Sequence, residues 1–178
     1  MVRHEYLRKA LHITFGTAVI ALYYLVPIAE LTRILFILLI LALTADFLIA
    51  DFKLLIPVYK EFERPKEREG IHEGTFYLIG MILAFIFFPK PISITANMMM
   101  VYGDFTAWAL RGKKEHLITF LVCTLAGIFA TNNIIISTAM AAATVLVEKN
   151  FMKVSDNLAI PLFSGLAGYA TVQVLTFL

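Results

Sequence analysis

The residues with chemistry to offer fall into a few tight groups: Arg8, Lys9 and His12; Glu73-Gly74-Thr75; Gly103-Asp104; Arg111-Gly112-Lys113; Glu148; and Asp156-Asn157. Carboxylates such as Asp104, Glu148 and Asp156 supply the oxygen ligands that suit Mg2+, an ion that commonly arrives with substrate phosphates. Basic side chains and the N–H groups of a helix start hold the remaining phosphate charge. A histidine or carboxylate takes the proton of a hydroxyl nucleophile. These residue types together suit phosphoryl chemistry. The sequence has no glycine-rich Walker loop, no protein-kinase motif set and no HExxH zinc motif.

Spacing narrows the roles. Arg8 and His12 are four residues apart and share a helix face, so both are expected to point into one cleft. Lys9 serves equally as a phosphate ligand or as a positive anchor at the membrane surface. Asn97, Asp104 and Arg111 follow one another at intervals of seven, which predicts one helical stripe. Gly103 beside Asp104 permits close approach of backbone or ligand, and a buried Asp104–Arg111 pair is the plainer alternative. Glu73-Gly74-Thr75 stands where a helix begins, as an anion site or with Thr75 as a simple cap. Asp156-Asn157 admits the same two readings, and the Arg111-Gly112-Lys113-Lys114 turn is either phosphate ligand or topological charge. Met98, Met99 and Met100 read as packing.

The elements that carry these groups are set by composition. Of 178 residues, 60% are apolar and 16% charged, with a mean hydropathy of +0.83. Soluble domains run nearer ~45–50% apolar and ~25% charged, so the chain reads as an all-α polytopic membrane protein with one integral domain over 1–178. A spanning helix needs about 20 mainly apolar residues, and that ruler predicts spans at 11–28, 32–50, 75–88, 92–110, 117–130, 134–147 and 158–178. Pro161 inside the last is expected to kink it. A single cysteine, Cys123, excludes a disulfide framework and a cysteine metal cluster. No internal repeat speaks for an inverted-repeat transporter, and nothing in the charge of +2 speaks for a nucleic-acid partner.

Lys and Arg give the orientation, because positive loops stay in the cytoplasm. Across the seven spans, thirteen of the fifteen fall on the N-terminal side of the membrane, and only Arg33 and Lys90 on the other. The N-terminus is therefore expected inside and the C-terminus outside, in a prokaryotic plasma membrane or its equivalent. His12 and Thr14 interrupt the first apolar run, so a retained span is expected rather than a cleaved signal. The loop 51–73 is expected to hold a short interfacial helix, with Leu54, Leu55, Val58, Tyr59 and Phe62 on its apolar face. Nearly all the ionisable groups that need a reason, Asp46 and His72 among them, gather at the cytoplasmic ends of the spans. Scattered anchors would populate both faces.

In order along the chain, Arg8-Lys9-x-x-His12 with Gly16, Glu73-Gly74-Thr75-x-Tyr77 with Gly80, Gly103-Asp104-x-x-Ala107 with Gly112-Lys113, Glu148, and Asp156-Asn157 with Pro161 resemble the CTP-dependent polyprenol kinase family. That family includes dolichol kinase, phytol kinase and CTP-using diacylglycerol kinase; phosphatidate cytidylyltransferases belong to the same broad superfamily. The resemblance covers nearly the whole chain. It implies transfer of the γ-phosphate of CTP to the hydroxyl of a long-chain isoprenoid alcohol or diacylglycerol, with Mg2+. It also implies that Gly103, Asp104 and Gly112-Lys113 belong to the nucleotide and metal site. Arg8, Lys9 and His12 would lie near the reacting phosphates, and Asp156-Asn157 would complete the cleft. One departure is plain: relatives commonly continue with a Lys-Ser/Thr-x-Glu-Gly stretch, where this chain has Gly112-Lys113-Lys114-Glu115-His116.

The resulting expectation is a lipid kinase with Asp104, Glu148 and Asp156 at the metal. Arg8, Lys9, Arg111 and Lys113 hold phosphate, together with Glu73, Gly74, Thr75, Gly103, Gly112 and Asn157. His12 works with Asp104 on the reacting groups. A cytidylyltransferase that joins CMP to a lipid phosphate is the nearest alternative, and a small transporter the more distant one. Partners are the lipid alcohol, CTP and membrane lipid, and the Gly/Ala-rich last span suits a homo-oligomer interface.

Overall fold

The computed structural model describes residues 2–52, 71–112, 114–150 and 154–177. The interfacial helix expected within 51–73 falls on residues outside that description, as does Lys113. The described residues form helices and short turns, with no strand among them. In order these are α1 (Val2–Leu25), α2 (Ile28–Phe52), α3 (Glu73–Phe87), α4 (Lys90–Met98), a π-helical turn (Met99–Gly103), α5 (Asp104–Ala109), α6 (Glu115–Thr131), α7 (Ile134–Asn150) and α8 (Asp156–Phe177). Two of them, over Ile28–Asp51 and Asp156–Phe177, are long and apolar enough to cross a membrane.

Local sequence explains the boundaries. Helix α1 begins before the apolar run and stops at Leu25, since Pro27 brings no N–H to extend it. Pro27 instead gives its carbonyl to Glu30 and Leu31 in the first turn of α2. Pro91 falls in the first turn of α4, where a missing donor costs nothing. Between α6 and α7, Asn132 takes a left-handed conformation (φ 52°) and the side chain of Asn133 caps the N–H groups of Ile135 and Ile136. Helix α8 continues through Pro161. Proline has no N–H to give the carbonyl of Asn157, four residues earlier, and that carbonyl abuts Gly80 of α3, where any side chain would overlap it.

The core is built on one rod. Helix α4, the π-turn and α5 follow each other without a break, and Ile92 to Val101 are all buried. Met99 and Met100 have no exposed surface, which fits gap-filling side chains in a crowded centre. Around the rod stand α1, α3, α6, α7 and α8, while α2 lies at the edge against α3. Small residues set the close approaches. A Cβ at Gly16 of α1 would overlap the Tyr77 hydroxyl and Val101; one at Gly165 of α8 would overlap Phe88; one at Gly168 would crowd Met140.

Candidate functional site

At the end of the bundle where α1 begins and α5 stands, three expected residues meet. Lys9 Nζ lies 2.5 Å from Asp104 Oδ2, and His12 Nε2 lies 3.7 Å from the same oxygen. All three side chains are largely buried, with 10%, 18% and 11% of their surface exposed for Lys9, Asp104 and His12. Helix α1 presents Lys9 and His12 one turn apart, and the π-turn presents Asp104 as the first residue after it. A π-turn inserts extra backbone into a helix and is often found at functional sites. Here it turns Asp104 relative to the residues before it, so the uniform stripe expected through Asn97, Asp104 and Arg111 does not continue. The carbonyl of Met100, within that turn, faces the His12 ring. Tyr77 of α3 closes the third side, its hydroxyl donating to the His12 carbonyl at 3.2 Å and its ring 4.1 Å from the imidazole.

Arg8 stands within electrostatic reach of both His12 and Asp104. Arg111 does not pair with Asp104. The helix ends at Ala109, which leaves Arg111 in an exposed turn, 3.6 Å from Glu5 of α1. Asp104 thus pairs with Lys9, and the plainer alternative of an Asp104–Arg111 pair is not what forms. Between the two rungs, Tyr6 stacks edge-on against Trp108, their rings 4.9 Å apart. The N–H of Gly112 donates to the carboxylate of Glu115 at 2.8 Å. Gly103 faces the opposite way, toward Cys123 of α6 and Thr144 of α7.

The acidic residues differ in their engagements. Glu148, one turn beyond Thr144 on α7, is within electrostatic reach of Asp104, Asp156, Glu115 and Lys9. Its Oε2 is buried and has no hydrogen-bond partner. Among the described residues no three His, Cys, Asp or Glu side chains form a metal cage. A cage of that kind is what Mg2+ ordinarily does without, since it binds through one or two carboxylates plus substrate phosphates. The orphaned buried oxygen of Glu148, within electrostatic reach of Asp104, fits that mode.

Two further clusters occupy the same end. Asp46 of α2, itself buried, accepts the N–H of His72 at 3.1 Å and the hydroxyl of Thr75 at 2.7 Å through Oδ2. Its Oδ1 lies 2.7 Å from His72 Nδ1. Asp46 therefore serves the start of α3 in the way an N-cap side chain does, from a neighbouring helix. Glu73 ties α3 to the start of α8 through side chains: its Oε2 accepts the Ser155 hydroxyl at 2.5 Å and the side-chain amide of Asn157 at 3.1 Å. Asn157 also reaches the Glu73 carbonyl at 3.3 Å. Of the residues expected to hold phosphate, Glu73, Thr75 and Asn157 are thus bonded within the protein, while Gly74 has open space beside it.

Asp46 and His72 carry no expected role from the sequence, and the structure pairs them. Ser155 and Glu5 gave no signal, because their partners are distant in sequence. No protein-family model matches the chain, and neither does any curated protein or solved structure.

Proposed function

We propose that the chain is a CTP-dependent lipid kinase that phosphorylates the hydroxyl of a long-chain isoprenoid alcohol at the cytoplasmic face of a membrane. The observation that carries this reading is the convergence of Lys9, His12 and Asp104 immediately after the π-turn. A buried cation, a buried imidazole and a carboxylate around one point match the needs of phosphoryl transfer. Supporting it are the orphaned oxygen of Glu148 nearby and the family resemblance of the motif order.

The membrane setting in this proposal has all seven rods crossing, with the N-terminus inside. The outward faces support it: Ile40, Leu41, Leu125, Phe129, Leu166 and Phe177 are among many large apolar side chains left exposed. At 1.5 Å per residue, the 15 to 17 residues of α3, α6 and α7 measure about 22–26 Å, just under the ~30 Å hydrocarbon layer. Basic residues on one side fix the direction.

In the reaction, the acceptor oxygen forms a bond to the γ-phosphorus of CTP, the bond from that phosphorus to the β,γ-bridging oxygen breaks, and CDP leaves. His12 Nε2, buried and without a hydrogen-bond partner, takes the hydroxyl proton. Lys9 exchanges Asp104 for the γ-phosphate oxygens, and Arg8 adds positive charge beside it. Mg2+ held by Asp104 with Glu148 and Asp156 would neutralise phosphate charge when bound. The alcohol's tail lies in the bilayer and enters between helices. Thermal melting tests the nucleotide site: CTP with Mg2+ should raise the melting temperature of the wild type and leave Asp104→Asn unmoved. Equal shifts for both proteins would remove Asp104 from the site.

A further inference from the structure

One helical turn beyond the Lys9–Asp104 contact, the same two stretches of chain meet again through aromatic and charged side chains. Tyr6 stands edge-on to Trp108, their ring centres 4.9 Å apart, and Phe105 lies 5.8 Å from Trp108. Arg111 Nη2 lies 3.6 Å from Glu5 Oε1. Unlike Lys9 and Asp104, these groups are open: 71% of the Arg111 side chain, 38% of that of Glu5 and 60% of Tyr6 are exposed. An ion pair so exposed contributes little to folding. Tyr and Trp at this level also suit an aromatic belt at a membrane surface. A belt gives no reason for a carboxylate and a guanidinium set side by side next to the rings. A nucleobase gives one, since bases stack on aromatic side chains and are read by charged groups at their edges.

The pair fits one base best. A carboxylate accepts, and a guanidinium fork donates twice. Along one edge cytosine presents a donor, the N4 amino group, and then two acceptors, N3 and O2. Glu5 matches the donor, and the fork of Arg111 matches both acceptors. Adenine offers the donor and one acceptor, with a C–H where the second would be. Uracil and guanine turn a carbonyl toward the carboxylate and an N–H toward the guanidinium. We propose that Tyr6 and Trp108 stack the base of the nucleotide, and that Glu5 and Arg111 select cytosine. This rests on the nucleotide site of the proposed function, whose phosphates stay at Lys9, one turn away on α1. It makes Arg111 a ligand of the base instead of the phosphate.

Trp108 is the sole tryptophan of the chain, so its fluorescence reports on the stacking surface directly. In the full chain in detergent micelles with Mg2+, CTP should quench that emission saturably. ATP and UTP should need at least about tenfold higher concentrations. Glu5→Gln turns an N–H toward the O4 carbonyl of uracil, and should bring UTP to within a few-fold of CTP. In equilibrium dialysis with labelled CTP, Trp108→Ala should bind about tenfold more weakly than wild type, and Trp108→Phe, which keeps a ring face, should recover most of the loss. Circular dichroism checks folding, and Glu5→Gln, at an exposed position, carries the test if Trp108→Ala does not fold. Three results would overturn the base site and leave the kinase reading standing: CTP bound in dialysis with Trp108 emission unmoved, Trp108→Ala binding CTP as wild type does, or Glu5→Gln keeping the full preference for CTP over UTP. Tyr6 and Trp108 would then be membrane anchors only. Wild type binding no CTP in dialysis would instead refute the kinase reading, and the base site with it.

Discussion

Lys9 and Asp104, 95 positions apart in sequence, meet at 2.5 Å where the first helix crosses the residue that follows the π-turn. The contact fixes α1 to the central rod at the end that gathers the carboxylates. The ammonium of Lys9 balances the charge of Asp104 where both are largely buried. Burying both charges is costly, and good geometry offsets that cost only while both partners are present.

Removing one partner therefore has a defined penalty. Asp104→Ala leaves Lys9 buried without its ion-pair partner, and should destabilise the fold by about 3–5 kcal/mol. The double variant Lys9→Met with Asp104→Leu should recover most of that loss while remaining inactive. Chemical denaturation of the three proteins in mixed micelles checks it. A double variant no more stable than Asp104→Ala would show that the pair is not what couples the two helices.

Gly16 and Gly74 form a matched contrast. A methyl at Gly16 overlaps the Tyr77 hydroxyl and Val101, whereas one at Gly74 meets nothing within 4 Å. Gly16→Ala should lower stability by about 1–3 kcal/mol, the usual cost of overpacking, and Gly74→Ala should melt as the wild type does. If Gly74 is a place where phosphate approaches the backbone, Gly74→Ala should nevertheless weaken CTP. Thermal melting with and without nucleotide separates the two effects.

Asp46 caps α3 from outside it. Asp46→Ala orphans the Thr75 hydroxyl and the His72 N–H, each buried donor costing about 1–3 kcal/mol. The first turn of α3 should then exchange its amide hydrogens faster than in the wild type, while α6 and α7 stay protected. Hydrogen exchange read by mass spectrometry on peptides from 71–80 decides this. Unchanged protection there would mean that Asp46 contributes nothing to that helix start.

Metal removal gives a further check. Chelation should abolish phosphate transfer, and Mg2+ should restore it, with no change in helical content between the two states. Loss of helix on chelation would point to a structural ion, and persistence of activity would contradict the metal assignment.

The pole of the molecule was legible in the sequence because charges in apolar stretches are expensive and need reasons, and nearly all such charges fell at one end. Lys9, His12 and Asp104 were marked by that cost alone. The partner of Asp104 was not legible. The spacing of seven offered Arg111 only as an alternative and left Lys9 unnamed as the partner, and nothing in Met99–Gly103 announces the π-turn that precedes Asp104 or the helix end at Ala109 that leaves Arg111 outside. Glu73 and Asn157 were marked correctly as helix-start residues, but their bond joins positions 84 apart, beyond any local pattern. Helix boundaries followed proline where it occurred, at Pro27 and Pro91. Pro161 was read as lying inside the last helix, and α8 runs through it, with the Asn157 carbonyl packed against Gly80.

The central claim is that the γ-phosphate of CTP ends on a lipid hydroxyl. Purified protein in liposomes, given Mg2+, a polyprenol, diacylglycerol and a lipid phosphate, should be supplied with CTP labelled at either the γ- or the α-phosphorus. γ-Label is expected in the polyprenol product, none from the α-position, and loss of the γ-label with Asp104→Asn. α-Label in the lipid would make the protein a cytidylyltransferase, and no label in lipid from a folded protein would contradict the account outright.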